Sequence, residues 1–158
     1  MPRRVFLTRR DSRRLTNEAE IAGHLATLGF ETLHAEDLTP LDQLRLLARA
    51  EMVVAIHGAA VAPLLYRPPE APPARIIELF PVGHITLVWR LVATQVGCRW
   101  VGVRGKLRPH HITGGLYDLE TPFLRYSTED FEVDPASIDR AIALMDEDDL
   151  LTGESEHV

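Results

Sequence analysis

His57-Gly58-Ala59-Ala60 follows directly on an unbroken apolar run, Met52-Val53-Val54-Ala55-Ile56. A run of that kind reads as a strand buried on both faces, and in an open α/β sheet ligands bind beyond the carboxyl ends of such strands. The small residues after His57 let backbone come close to a ligand. Pro63 predicts a helix beginning there, which would put the amides of Ala60 to Ala62 near a helix N-terminus, a setting suited to phosphate. Arg9 and Arg13 lie just past the first apolar run, Val5-Phe6-Leu7-Thr8, and so on the same sheet edge. Guanidinium forks match phosphate oxygens; the plainer reading of the two arginines is surface charge. His57 itself could bond a phosphate, act as a base or cap the sheet.

Glu78 interrupts another apolar run, Ile76-Ile77-Glu78-Leu79-Phe80. A carboxylate in a buried strand needs a partner. A pair of sugar hydroxyls would serve, as would an ion pair with Arg75 or Arg90. Metal chemistry is not expected. His110 and His111 are adjacent and in a strand would face opposite sides, while His24 and His34 share no ligand spacing with other donors. Cys98 reads as a packed thiol. After the first strand Leu7-Thr8-Arg9-Arg10-Asp11-Ser12 carries no glycine, which disfavours a nicotinamide oxidoreductase, and there is no nucleophile-elbow Gly-x-Ser-x-Gly.

These residues need a scaffold. Apolar residues Ile21, Leu25 and Leu28, then Leu41, Leu44 and Leu47, then Leu87, Leu91 and Val92 recur at helical spacing between the strand runs. Thr16 or Asn17 would cap the first helix, with Gly29 as its stop. Thr39 would cap the second, with Pro40 at its first position. Glu31-Thr32-Leu33-His34 and Trp100-Val101-Gly102-Val103 complete five strands, and Pro135 to Leu150 predicts a last helix capped by Asp134. The proline-rich stretch from Arg67 to Pro73 reads as an exposed loop, and Lys106 to Pro122 is irregular. Strands alternating with helices imply an α/β fold: a Rossmann-like three-layer parallel sheet with right-handed crossovers. The expected organisation is a single domain over residues 1–150 and an acidic, frayed tail over 151–158.

The net charge is −6 but unevenly placed. Arg3, Arg4, Arg9, Arg10, Arg13 and Arg14 crowd the start, whereas the many acids from Glu129 onward face only Arg140. A basic head suggests an anionic ligand there, and the overall acidity argues against nucleic acid as a partner. No transmembrane segment is expected, because no apolar run approaches the roughly 20 residues needed to span a bilayer. The N-terminus lacks the apolar core of a signal peptide and Cys98 is the single cysteine, so the expected location is cytoplasmic.

Five stretches in order carry a family resemblance: Arg9 through Arg13-Arg14-Leu15-Thr16-Asn17-Glu18; Leu28-Gly29-Phe30-Glu31; Glu36-Asp37-Leu38-Thr39-Pro40-Leu41-Asp42-Gln43-Leu44; Ala50 through His57-Gly58-Ala59-Ala60; and Ile76-Ile77-Glu78-Leu79-Phe80-Pro81. Together they resemble family 61 glycosyltransferases of the capsular polysaccharide biosynthesis type. The resemblance covers residues 5 to 81 well and the remainder weakly. It implies an inverting, nucleotide-sugar-dependent enzyme of GT-B type, of which this chain looks like the C-terminal, donor-binding half. By that match Arg9 and Arg13 would hold phosphate, His57, Gly58, Ala59 and Ala60 would line the diphosphate site, and Glu78 would face the ribose or uracil. The expected donor is a UDP-sugar, with no metal and no other cofactor.

The family often has asparagine where this chain has Pro63, so a side-chain contact is lost there. A GT-B enzyme also needs a second, acceptor-binding domain, and the chain has room for one domain. It is therefore a fragment, a subunit needing a partner chain, or a degenerate relative; the general base is unassigned, and self-association is expected. The alternative function is a non-catalytic nucleotide-binding module.

Overall fold

A computed structural model describes residues 1–84, 86–112 and 126–153. Gly114, Gly115 and the end of the acidic tail, which the sequence marks as irregular or frayed, lie outside the described residues. The strands are β1 (Arg4–Thr8), β2 (Glu31–His34), β3 (Met52–Ile56), β4 (Arg75–Phe80) and β5 (Arg99–Arg104). They form one parallel sheet in the order β2-β1-β3-β4-β5. The chain winds outward from β1 to β2, then returns past β1 to β3 and continues the other way. The architecture is thus a Rossmann-like α/β sheet, and its topological switch point lies between β1 and β3, where ligands bind in this strand order.

The central strand β3 is buried at every position because helices cover both faces. On one face Phe6, Val54, Ile77 and Leu79 pack against α1 (Glu18–Thr27) and α5 (Pro135–Gly153). On the other, Leu7, Val53, Ala55 and Ile76 pack against α2 (Pro40–Arg49), a 3₁₀ helix (Ala59–Tyr66) and α3 (Val88–Gln95). Helix α5 continues three residues past the point where the sequence places the tail. No helix among the described residues is long and apolar enough to cross a membrane.

Local chemistry explains most element ends. Thr39 Oγ1 accepts the Asp42 N–H at 3.2 Å and Pro40 opens α2, as the sequence indicates. Gly29 ends α1 at φ 81°, a left-handed conformation that favours glycine. Asp134 caps α5 through the Ala136 N–H at 3.0 Å.

Three expectations change. Asn17 precedes α1 without capping it by its side chain; its amide instead donates to the Val133 carbonyl at 2.8 Å and ties the C-terminal segment down. The segment after β3 is not an α-helix starting at Pro63. The chain coils from Ala59, so Pro63 falls inside, and a proline there cannot continue an α-helical hydrogen-bond ladder. Arg67, placed in an exposed loop, is buried. Its guanidinium donates to the carbonyls of Leu47, Ala50 and Pro72, which locks the proline-rich loop to α2.

Candidate functional site

The carboxyl ends of β1 and β3 flank a cleft of about 250 Å³. Thr8, Arg9, Glu36, Gly58, Ala59 and Ala60 line it. Four of the seven residues singled out from the sequence, Arg9, Gly58, Ala59 and Ala60, therefore meet in one cavity. Arg9 Nη1 donates to the His57 carbonyl at 3.1 Å, so the guanidinium lies across the β3 terminus. A Cβ on Gly58 would fall 2.7 Å from Arg9 Nη1. Gly58 is extended, at φ 160°, and any residue adopts that backbone; what this position excludes is bulk in front of Arg9. Gly58→Ala is accordingly expected to keep wild-type stability within about 0.5 kcal/mol. The displaced guanidinium should weaken anion binding about tenfold, the equivalent of one charge-assisted hydrogen bond. Calorimetric titration beside a thermal melt checks both halves.

Among the described residues, Arg13 is the one non-glycine residue held at positive φ, 64°. A side-chain-bearing residue in that region costs about 1–2 kcal/mol, and such strain concentrates at functional positions. Burial lowers the Arg13 pKa, and the neighbouring positive Arg9 lowers it further. Neither arginine makes an ion pair among the described residues, and the buried Nε atoms of both lack a hydrogen-bond partner there. Arg9 and Arg13 are thus two guanidinium groups that repel one another, with no carboxylate paired to either among the described residues.

His57 stands beside them. Its Nδ1 lies 2.6 Å from Glu78 Oε1, and the other carboxylate oxygen accepts the Trp100 Nε1–H at 2.7 Å. Glu78 is fully buried. Both its oxygens are engaged, so the direct ribose contact expected of it is not open in this arrangement, nor does it pair with Arg75 or Arg90. Arg75 bonds Asp146 instead. Trp100 reaches Glu78 because Gly102, two residues along the same strand face and opposite Glu78 in register, has no side chain to block the indole.

His84, not singled out from the sequence, completes the group. Its ring centroid is 5.1 Å from that of His57. Burial, then the charges of His57 and Arg13, lower its pKa. A histidine with a depressed folded pKa contributes stability that is present above its unfolded value and lost as pH falls through the folded one. No sequence spacing announces His84, since it lies on the turn after β4. Glu36 was likewise legible only as part of a motif; it reaches the cleft because the chain turns there immediately after β2.

His110 and His111 correct the expectation about chelation. They sit on a short helix, α4 (Pro109–Ile112), not a strand, and both Nε2 atoms lie 2.8 Å from the Glu129 carboxylate. The three donor groups lie within 4.8 Å of one another. His111 Nδ1 accepts the Arg108 N–H at 3.0 Å, however. That leaves the neutral ring's proton on Nε2, where a cation would have to bind. The cluster is a histidine–carboxylate clasp. Burial alone would raise the Glu129 pKa, but the two histidines together hold it below the ordinary range.

Comparison with known proteins adds a family likeness over part of the chain. Residues 1–76 match glycosyltransferase 61. The match ends just into β4, so it takes in β1, the cleft and the His57-Gly58-Ala59-Ala60 segment. A curated relative from Mus musculus, protein O-linked-mannose beta-1,4-N-acetylglucosaminyltransferase 2, is 32% identical over 118 residues. That alignment covers 69% of this chain and 20% of the mouse protein, so the chain spans about a fifth of that relative's length. Among solved structures, a flavodoxin-like domain from Synechococcus sp. aligns over 66% of this chain and 84% of its own, at a TM-score of 0.40 and 15% identity.

Proposed function

We propose that this chain is the donor-binding half of a glycosyltransferase and that the cleft takes the diphosphate of a nucleotide-sugar, a UDP-sugar in the first instance. The observation that carries the reading is the pair of buried Nε–H groups without acceptors among the described residues, on Arg9, which lines the switch-point cleft, and on neighbouring Arg13. Glycosyltransferase 61 similarity over the same residues agrees with it. The nucleotide diphosphate takes the bonding electron pair of the sugar–oxygen bond and leaves with one added negative charge to be stabilised, and positive groups fixed in place before the reaction lower that cost. Arg9 and Arg13 supply them, and in this reading the transfer needs no metal at this site. Glu36 takes over the ribose role expected of Glu78: it lies just after β2 on the cleft wall, where an acidic side chain in a Rossmann-like sheet meets ribose hydroxyls.

In the GT-B reading an inverting attack requires an acceptor hydroxyl delivered by a second domain or partner chain, together with its base, and places the enzyme in polysaccharide assembly. Thermal stabilisation by UDP, GDP, CDP, UMP and NAD at matched concentrations tests the proposal. UDP at about 100 times its dissociation constant should add about 2.7 kcal/mol. A larger response to NAD than to UDP would contradict it.

A further inference from the structure

Gln43 lines the cleft from the first turns of α2, whose start Thr39 and Pro40 fix. Its Nε2 donates to two backbone carbonyls, Ala35 at 2.9 Å and Leu38 at 3.3 Å. Only the nitrogen end of an amide can face two carbonyl oxygens, so these partners settle which way the group points. The two carbonyls flank the 3₁₀ turn Ala35–Asp37, which carries Glu36. The same side chain therefore staples that turn and offers one oxygen beside it. That oxygen, Oε1, has no partner among the described residues and is not buried.

A free glutamine serves donors and acceptors alike, by turning its amide over. Gln43 cannot, because turning over would set its oxygen against two carbonyl oxygens and leave both without a donor. It is a fixed acceptor. The cleft thus offers donors from Arg9, acceptors from Glu36 and Gln43, and apolar surface from Leu7, Ile56 and Ala59. A nucleoside diphosphate has the matching parts: anionic phosphates, ribose hydroxyls and a flat base with a polar edge. The two pyrimidines have the same shape but differ at that edge. Uracil carries an N–H at N3, where cytosine carries a lone pair. A fixed acceptor bonds the first and repels the second.

We propose that Gln43 selects uracil over cytosine, its Oε1 accepting the N3–H of the base. The inference rests on the cleft taking a nucleoside diphosphate; it names the group that reads the base.

Calorimetric titration of the whole chain with UDP, CDP and N3-methyl-UDP tests it. CDP and N3-methyl-UDP should each bind about tenfold more weakly than UDP, the effect of one hydrogen bond replaced by a repulsive contact. In Gln43→Met, which keeps the length of the side chain and removes its oxygen, UDP should fall to the level of CDP. A role confined to stapling the turn would weaken all three ligands alike and leave their ratios unchanged. Should that variant fail to fold, NMR of wild-type protein with ¹⁵N3-labelled UDP decides. The bound imino proton should be sheltered from exchange and show a cross-peak to the Gln43 side-chain amide protons. Equal affinities for UDP and CDP, a preference that survives in Gln43→Met, or a bound UDP whose imino proton exchanges freely would each overturn the proposal. UDP and CDP binding alike, and both weakened in Arg13→Gly, would remove Gln43 as the selector and keep the diphosphate site. Binding of none of the three would remove both.

Discussion

Arg13→Gly is expected to raise stability and cut UDP-induced stabilisation by half or more in the same molecule. The two effects have separate causes. Arg13 is held at φ 64°, and glycine relieves a left-handed conformation worth about 1 kcal/mol. Its guanidinium carries a buried N–H without an acceptor among the described residues, so no hydrogen bond described there is lost from that atom. A bound phosphate loses a charged donor, worth about 1.5–3 kcal/mol, or roughly ten- to a hundredfold in affinity. Removing Arg13 also removes one of the charges that depress His84, so the His84 pKa should rise toward its ordinary value. Chemical denaturation, UDP titration and the His84 NMR shift provide three independent readings. A variant that lost stability and kept its affinity would place Arg13 in the scaffold instead of the site.

Glu78→Ala should be the most damaging single change to the fold. It strips His57 and the Trp100 N–H of their shared acceptor at a position with no solvent exposure. Leaving a buried donor without its acceptor costs about 1–3 kcal/mol, and two such donors together are a large part of the roughly 5–15 kcal/mol that keeps a typical domain folded. Urea denaturation should show the midpoint fall with little change in slope. Glu78→Gln keeps an acceptor for His57 and should cost less. Equal losses in the two variants would mean that charge, not hydrogen bonding, holds the site.

The alternation of apolar runs and helical spacings determined the sheet, because the burial of β1, β3 and β4 on both faces is written as short, mainly apolar runs. Thr39-Pro40 and Asp134-Pro135 marked helix starts through chemistry confined to neighbouring residues. His57, Gly58 and the two arginines stood out because their types suit an anion at the end of a strand. What lay beyond reach were contacts between residues distant in sequence. Pro63 looked like a helix start, since nothing local shows that the chain is already coiling at Ala59. Glu78 read as a ligand for sugar hydroxyls, since only the β3–β4–β5 register brings His57 and Trp100 onto its two oxygens. His110 and His111 read as diverging because a strand separates neighbours that one helical turn brings together over Glu129. Periodicity encodes which face of an element is buried; which side chains meet across elements is set by strand order and register, and at this sheet edge those decide which polar groups are spent on the protein and which remain for a ligand.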